Sequence, residues 1–296
     1  MKNKIFTGLF LASLIIFAKQ ANAQNQNFDT VQIKTTKITN SIYMLEGSGG
    51  NIGALVGNDG IILIDDQFAP LTEKIKKALA AISDKPIRFV INTHFHHDHT
   101  GGNANLGGEG AIIVSQENNR KRLSTDQFIA LFKIEQKASP YEALPKITFT
   151  ESLTFHVNGE TVEVFHVKNA HTDGDAVIYF KESNVIHTGD VFVRYGLPFI
   201  DQPNGGSIKG MIDGADRLLK LSNDETKIIP GHGMLAGKKD LQDYKNMLQT
   251  IRDRVADGIK KGKTLDQIIT SNPAKEYTSV FDKTGFITMV YEGLKK

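Results

Sequence analysis

The run Thr93-His94-Phe95-His96-His97-Asp98-His99-Thr100-Gly101-Gly102 crowds imidazoles and a carboxylate into a few positions. Neutral imidazole nitrogens and carboxylate oxygens are ligand types that borderline-soft zinc accepts. Further along, His171 stands in Ala170-His171-Thr172-Asp173-Gly174-Asp175, Asp190 ends His187-Thr188-Gly189-Asp190, and His232 follows Pro230-Gly231. Together with His94, His96, Asp98 and His99 these make five histidines and two aspartates at spacings suited to a two-metal hydrolytic centre.

The elements that must position these groups are strands. Pro86-Ile87-Arg88-Phe89-Val90-Ile91-Asn92 is dominated by β-branched and aromatic residues. If the extended backbone continues past Asn92, His94, His96 and Asp98 share one side and His97 points away. Asp98 and His99 then need a change of backbone direction to meet, which Thr100-Gly101-Gly102 supplies. His171 lies past the alternating segment Thr161-Val162-Glu163-Val164-Phe165-His166-Val167, Asp190 past Asn184-Val185-Ile186, and His232 past Ile228-Ile229. Ligands repeatedly placed just after strands require a site at one edge of a sheet, where loops converge on a cleft.

On these motifs the chain resembles the metallo-β-lactamase superfamily. Its His-x-His-x-Asp-His hallmark is met by His94, His96, Asp98 and His99, and the likeness runs through His171, Asp190 and His232, covering nearly all of the chain after residue 40. The resemblance implies a four-layer αβ/βα sandwich of the α/β class. It also implies two zinc ions per chain, with iron as the other candidate metal. His94, His96 and His171 resemble the ligands of one ion, and Asp98, His99 and His232 those of the other. Asp190 is similar to the bridging carboxylate, although it either bridges both ions or serves one. Two ions roughly 3.5–4 Å apart share a hydroxide and polarise the carbonyl that it attacks. Asp98 then both ligates and orients the nucleophile as the catalytic residue, and no residue is assigned to an organic cofactor.

Other titratable residues have plainer readings. His97, His156, His166 and His187 are read as ordinary core or surface histidines. Asp65 and Asp66 end the strand Gly60-Ile61-Ile62-Leu63-Ile64. One of them, Asp65 before Asp66, orients a ligand histidine through a hydrogen bond, or the pair caps a turn.

Lys2 and Lys4 precede the apolar run from Ile5 to Phe17, and Ala21-Asn22-Ala23 has the small-x-small form of a secretory cleavage site. The run is short of the roughly 20 residues that span a bilayer. Residues 1–23 are therefore read as a signal peptide and 24–296 as a single hydrolase domain. Its removal takes Lys2, Lys4 and Lys19, moving the formal charge from +2 to −1. Such a surface has no electrostatic footprint for nucleic acid. With no cysteine to form a disulfide or accept a lipid, the expectation is a periplasmic or secreted protein. It acts on a small-molecule substrate, without stable membrane association after cleavage. Oligomeric state is left open.

The strand-rich segments 42–64 and 147–189 are each followed by helical material, Ala69 to Ile82 and Ile208 to Leu221, as two αβ halves would be. Leu241 to Ile259 reads as a long amphipathic helix. Between Ser115 and Pro145 the chain is polar and helix-prone, with Phe128, Leu131 and Phe132 spaced as on one helix face. The loop from Val191 to Asp201 follows Asp190 and is placed to line the cleft, where Tyr195 either faces a developing oxyanion or packs.

The expected reaction is hydrolysis of an ester, lactone, thioester or cyclic amide. An aspartate at position 190 looks more like the glyoxalase and lactonase branches than the lactamase subclasses with Cys or Ser there, whereas export favours a β-lactamase. A persulfide dioxygenase with one iron on His94, His171 and Asp190 is a further alternative, as is a non-catalytic zinc-binding protein. The flavin-linked di-iron branch has Glu where this chain has His96.

Overall fold

The computed structural model describes residues 27–130 and 133–295. The segment read as a signal peptide lies outside the described residues, as do Leu131 and Phe132. The chain divides into Met1–Val31 and a compact unit, Gln32–Lys296. In the former, the 3-10 turn Phe28–Thr30 is capped by the Asn27 side chain, which accepts from Asp29 N at 2.9 Å.

In the compact unit the elements run β1 (Lys34–Lys37), β2 (Ile42–Glu46), β3 (Ile52–Gly57), β4 (Gly60–Ile64), α1 (Thr72–Ala80), β5 (Ile87–Asn92), α2 (His97–Thr100) and α3 (Asn103–Gly108). They continue with β6 (Ile112–Gln116), α4 (Glu117–Leu123), β7 (Gln127–Ile129), β8 (Ile134–Gln136), β9 (Ile147–Phe149), β10 (Ser152–Val157), β11 (Glu160–His166), β12 (Ala176–Phe180) and β13 (Val185–His187). The last are α5 (Ile208–Leu221), β14 (Lys227–Ile229), α6 (Lys238–Lys260), α7 (Leu265–Thr270) and α8 (Lys283–Lys295).

Seven strands form one sheet in the order β1-β2-β3-β4-β5-β6-β9, and five form a second, β10-β11-β12-β13-β14. Each is antiparallel at its start and parallel where chain crossovers carry helices, at β4-β5-β6-β9 and at β13-β14. Strand alternation sorts side chains between two faces. Ile62 and Ile64 of β4 meet Val162 and Val164 of β11, with Ile178 and Phe180 of β12, in a core between the sheets. Phe165, Val177, Ile186 and Ile228 point the other way, into a core shared with α5, α6 and α8. On the outer side of the first sheet, Ile61 and Ile87 share a groove wall with Leu79 of α1 and Leu106 of α3. The layers are thus helix, sheet, sheet, helix, as the resemblance implies. No helix among the described residues is long and apolar enough to cross a membrane.

Ile178 is fully buried between the sheets. Ile178→Ala is expected to lower unfolding free energy by about 2–5 kcal/mol, read as a fall in the urea midpoint at unchanged slope. An unchanged midpoint would mean that the sheets do not depend on this contact.

One expectation fails. Among the described residues of 115–145 the α-helix is confined to α4, with a 3-10 turn at Tyr141–Ala143; Gln127–Ile129 and Ile134–Gln136 pair as an antiparallel hairpin. Phe128 is therefore on a strand, 53% exposed, while Ile129 turns inward against Phe95, Leu123 and Phe199. Period-two burial of one isoleucine against this cluster outweighs the local helix preference.

Candidate metal centre

The chain turns at His97, earlier than the glycines at 101 and 102. Extended backbone reaches His96 (ψ 145°), and α2 begins at the next residue. Thr100 Oγ1 donates to the carbonyls of Phe95 and His96, and two longer ties hold the turn: Gly50 N to Asp98 O and Asp66 N to His99 O, both 3.0 Å. Asp98 consequently leaves the side occupied by His94 and His96, against the expectation of continued extension. His97 is exposed.

The seven residues singled out for metal binding fall into three overlapping groups: His94, His96 and His171; His94, His99 and Asp190; and Asp98, His99 and His232. In the first, His94 Nε2 and His171 Nε2 lie 3.1 and 2.9 Å from His96 Nδ1. In the third, His232 Nε2 is 3.2 Å from His99 Nε2 and 3.3 Å from Asp98 Oδ2. Asp190 stands between them, with Oδ1 3.3 Å from His99 Nε2 and Oδ2 3.7 and 3.5 Å from the Nε2 atoms of His171 and His232. A Cβ at Gly231 would collide with Asp190 Oδ1, so this approach of the His232 loop needs glycine.

The outer ring nitrogens settle what the inner ones can do. His171 Nδ1 donates to Phe199 O at 2.9 Å, a partner that can only accept. Thr93 Oγ1 gives its proton to Asp65 Oδ2 and so accepts from His94 Nδ1 at 3.0 Å. His96 Nε2 donates to Asp201 Oδ2 at 2.9 Å. Each ring thereby carries its proton outward, and three lone pairs meet at a buried point. Lone pairs converging without hydrogens repel, and a cation relieves that repulsion. Asp190 Oδ1, buried and without a hydrogen bond among the described residues, faces the same space. The donor set therefore fits two metal ions, one on each histidine group, with Asp190 within reach of both.

Charge divides the two groups. Burial, with repulsion from His99, His171 and His96, holds His94 well below the ordinary histidine value, and burial lowers His171 to about 4. Burial also disfavours protonation of His99 and His232, but neighbouring carboxylates outweigh it: Asp98, Asp190 and Asp65 raise His99, while Asp190 and Asp98 hold His232 at about 9.

Asp65 behaves as read from the sequence, accepting from His99 Nδ1 at 2.7 Å. It does so with φ +63°, a conformation that costs a non-glycine residue energy and recurs at functional sites. Asp66 instead accepts from Gly102 N. His187 is structural, its Nε2 donating to Asn51 O and its Nδ1 accepting from Gly189 N. Tyr195 packs edge-on against His232, and its hydroxyl accepts from Phe199 N at 3.5 Å.

Two partners were not singled out by sequence. Asn51 donates to the carbonyls of Pro230 and Gly233, clamping the His232 loop. Asp201, fully buried, holds His96 and is itself held by Asn204, to which Arg122 donates. Neither sits in a local motif. Asp201→Ala is expected to weaken zinc binding by the three-histidine group about 10–100-fold, with the other group unaffected, as measured by competition with a chromophoric chelator. Unaltered affinity in the folded variant would show that Asp201 does not position His96.

A double-sheet sandwich thus carries a candidate metal-binding donor set at the shared edge of its strands. The chain belongs to the metallo-β-lactamase superfamily, whose model matches residues 45–232. It is 22% identical over 251 residues to a linear primary-alkylsulfatase of a Pseudomonas species, covering 71% of this chain and 47% of that protein. It is 25% identical over 162 residues to a hydroxyacylglutathione hydrolase of Pelagibacter ubique, covering 53% and 57%. The chain thus spans about half the length of these two relatives. Among solved structures, a metallo-β-lactamase from Pontibacter korlensis superposes with TM-score 0.62 at 19% identity, over 74% of this chain and 99% of that one. At that identity the match speaks for the fold.

Proposed function

We propose that this protein is an exported, two-zinc hydrolase of small carbonyl compounds: esters, lactones, thioesters or cyclic amides. The observation that carries the reading is the convergence of three outward-protonated histidines on one point and of Asp98, His99 and His232 on an adjoining one, with Asp190 between them. Two bound zinc ions would supply an acidified water and polarise a carbonyl. His94, His96 and His171 would hold one ion; Asp98, His99 and His232 would hold the other. Asp98 is the more exposed carboxylate of the set, with 30% of its side chain accessible against 7% for Asp190. It is placed to accept the proton of an entering water and aim the water's oxygen at the acyl carbon.

Export to the periplasm or out of the cell is supported by Lys2 and Lys4, the short apolar run that follows them and Ala21-Asn22-Ala23. The two relatives named above are an alkylsulfatase and a hydroxyacylglutathione hydrolase. The experiment is hydrolysis of a chromogenic panel of cephalosporin, lactone, ester and thioester by the zinc-loaded protein, with Asp98→Ala as blank. Turnover of at least one carbonyl at about 1–1000 per second is expected. Turnover of the cephalosporin alone would make it a β-lactamase. A protein holding two zincs and inert on every member would contradict the reading.

A further inference from the structure

A cavity of about 360 Å³ opens one side chain away from the three-histidine group. Phe199 links the two. Its ring stacks at 5.8 Å on His96 and lies edge-on at 5.6 Å to His171, and the same residue lines the cavity. The remaining wall comes from Ala130 at the end of β7, the loop Ile200 to Pro203, and Gly285 and Met289 of α8. Two lining residues are polar. Gln202 spends its Nε2 on Met289 O at 2.6 Å, and Glu292 brings a negative charge. Among the described residues no lysine or arginine lines it.

Exposed apolar side chains stand on stretches of chain that adjoin the cavity wall or the candidate ligands in sequence. Phe128 and Ile134 of the β7–β8 hairpin are exposed, and so are Met234, two positions after His232, and Val280, next to the Phe281 ring that meets Tyr195. Large exposed hydrophobics flanking a reactive centre mark a surface that meets an apolar ligand.

We propose that the substrate carries an uncharged apolar acyl arm that runs over Phe199 into this cavity. The inference rests on the carbonyl-hydrolase reading above. Water oxygen adds to the acyl carbon, the bond from that carbon to the leaving oxygen breaks, and the leaving alcohol departs with a proton. The acyl product keeps its apolar end in the cavity until release. Glu292 and the carboxylates of the centre disfavour an acidic arm, and Arg194 and Arg122 are engaged elsewhere, with Asp240 and Asp173.

The test is kcat/KM of the two-zinc protein on 4-nitrophenyl acetate, butanoate, hexanoate and octanoate, with the hemiglutarate as an acidic arm of comparable length. Burial of each methylene predicts about a fourfold rise until the cavity is filled, and the hemiglutarate should fall below the hexanoate. Gly285→Leu, which fills the cavity, and Met289→Glu, which charges it, should each flatten the series while leaving the acetate rate unchanged. Two variants of opposite character keep the test sound if one folds poorly. A flat series with the acetate turned over would overturn the inference and leave the hydrolase reading standing. A rise that survives in both variants would do the same. No ester turned over by a two-zinc protein would overturn the inference, and the hydrolase reading falls with it when the lactone, thioester and cephalosporin are inert too.

Discussion

Asp98→Ala should lower kcat by about 10²–10⁴-fold, the scale of a positioned proton acceptor, and reduce bound zinc from two ions to one. The side chain projects from α2 towards His232, while the structural work of this residue is done by its backbone carbonyl, which accepts from Gly50 N. The fold should therefore survive. What is lost is one ligand of the second group and the carboxylate nearest solvent. Circular dichroism, zinc per chain and turnover on the best ester separate these effects. Near-normal turnover by a variant still holding two zincs would remove Asp98 from the mechanism.

The second large effect is on pH. Without metal, His232 at about 9 and His99, raised well above its ordinary value, are protonated at pH 7. A metal ligand must be deprotonated, so filling the Asp98, His99 and His232 group expels two protons. Its apparent affinity should fall about tenfold for each unit of acidification below about 9 as His232 takes up its proton, and more steeply through His99, whose value is likewise raised. His94 and His171 are already neutral at pH 7, His171 titrating only at about 4. They add no such dependence to the three-histidine group near neutrality. Acid should then weaken the Asp98, His99 and His232 site more steeply than His94 and His171 weaken theirs. Calorimetric titration with zinc in two buffers of different ionisation heat counts the released protons, and equal proton release at both sites would contradict the assignment. In the metal-free protein the raised His232 value works the other way. It adds stability below the unfolded value near 6.5, and this contribution is lost as pH rises through about 9.

The strands that carry the ligands were legible because their signals are local. The apolar run of β4, the β-branched run of β5 and the alternation of β11 each declare a strand within a few residues, and each ligand follows one. The long helix α6 was equally plain. The position of the turn after His96 was not, because backbone bonds from Gly50 and Asp66 help to place it. Asp201 was invisible for a similar reason: it meets His96 across 105 positions of chain. Asn51 reaches the His232 loop across 179. Residues that aim ligands are chosen by the folded neighbourhood, and nothing in their own stretch of sequence records it.

Hydrolysis by this centre should need both histidine groups filled. The most direct measurement is the rate of ester hydrolysis as metal-free protein is titrated with zinc at pH 8, with bound metal counted at each point. The rate should stay near background up to one equivalent, where the three-histidine group fills, and rise between one and two. Full activity at one equivalent, or oxygen consumption by a protein holding a single iron in place of any hydrolysis, would contradict it.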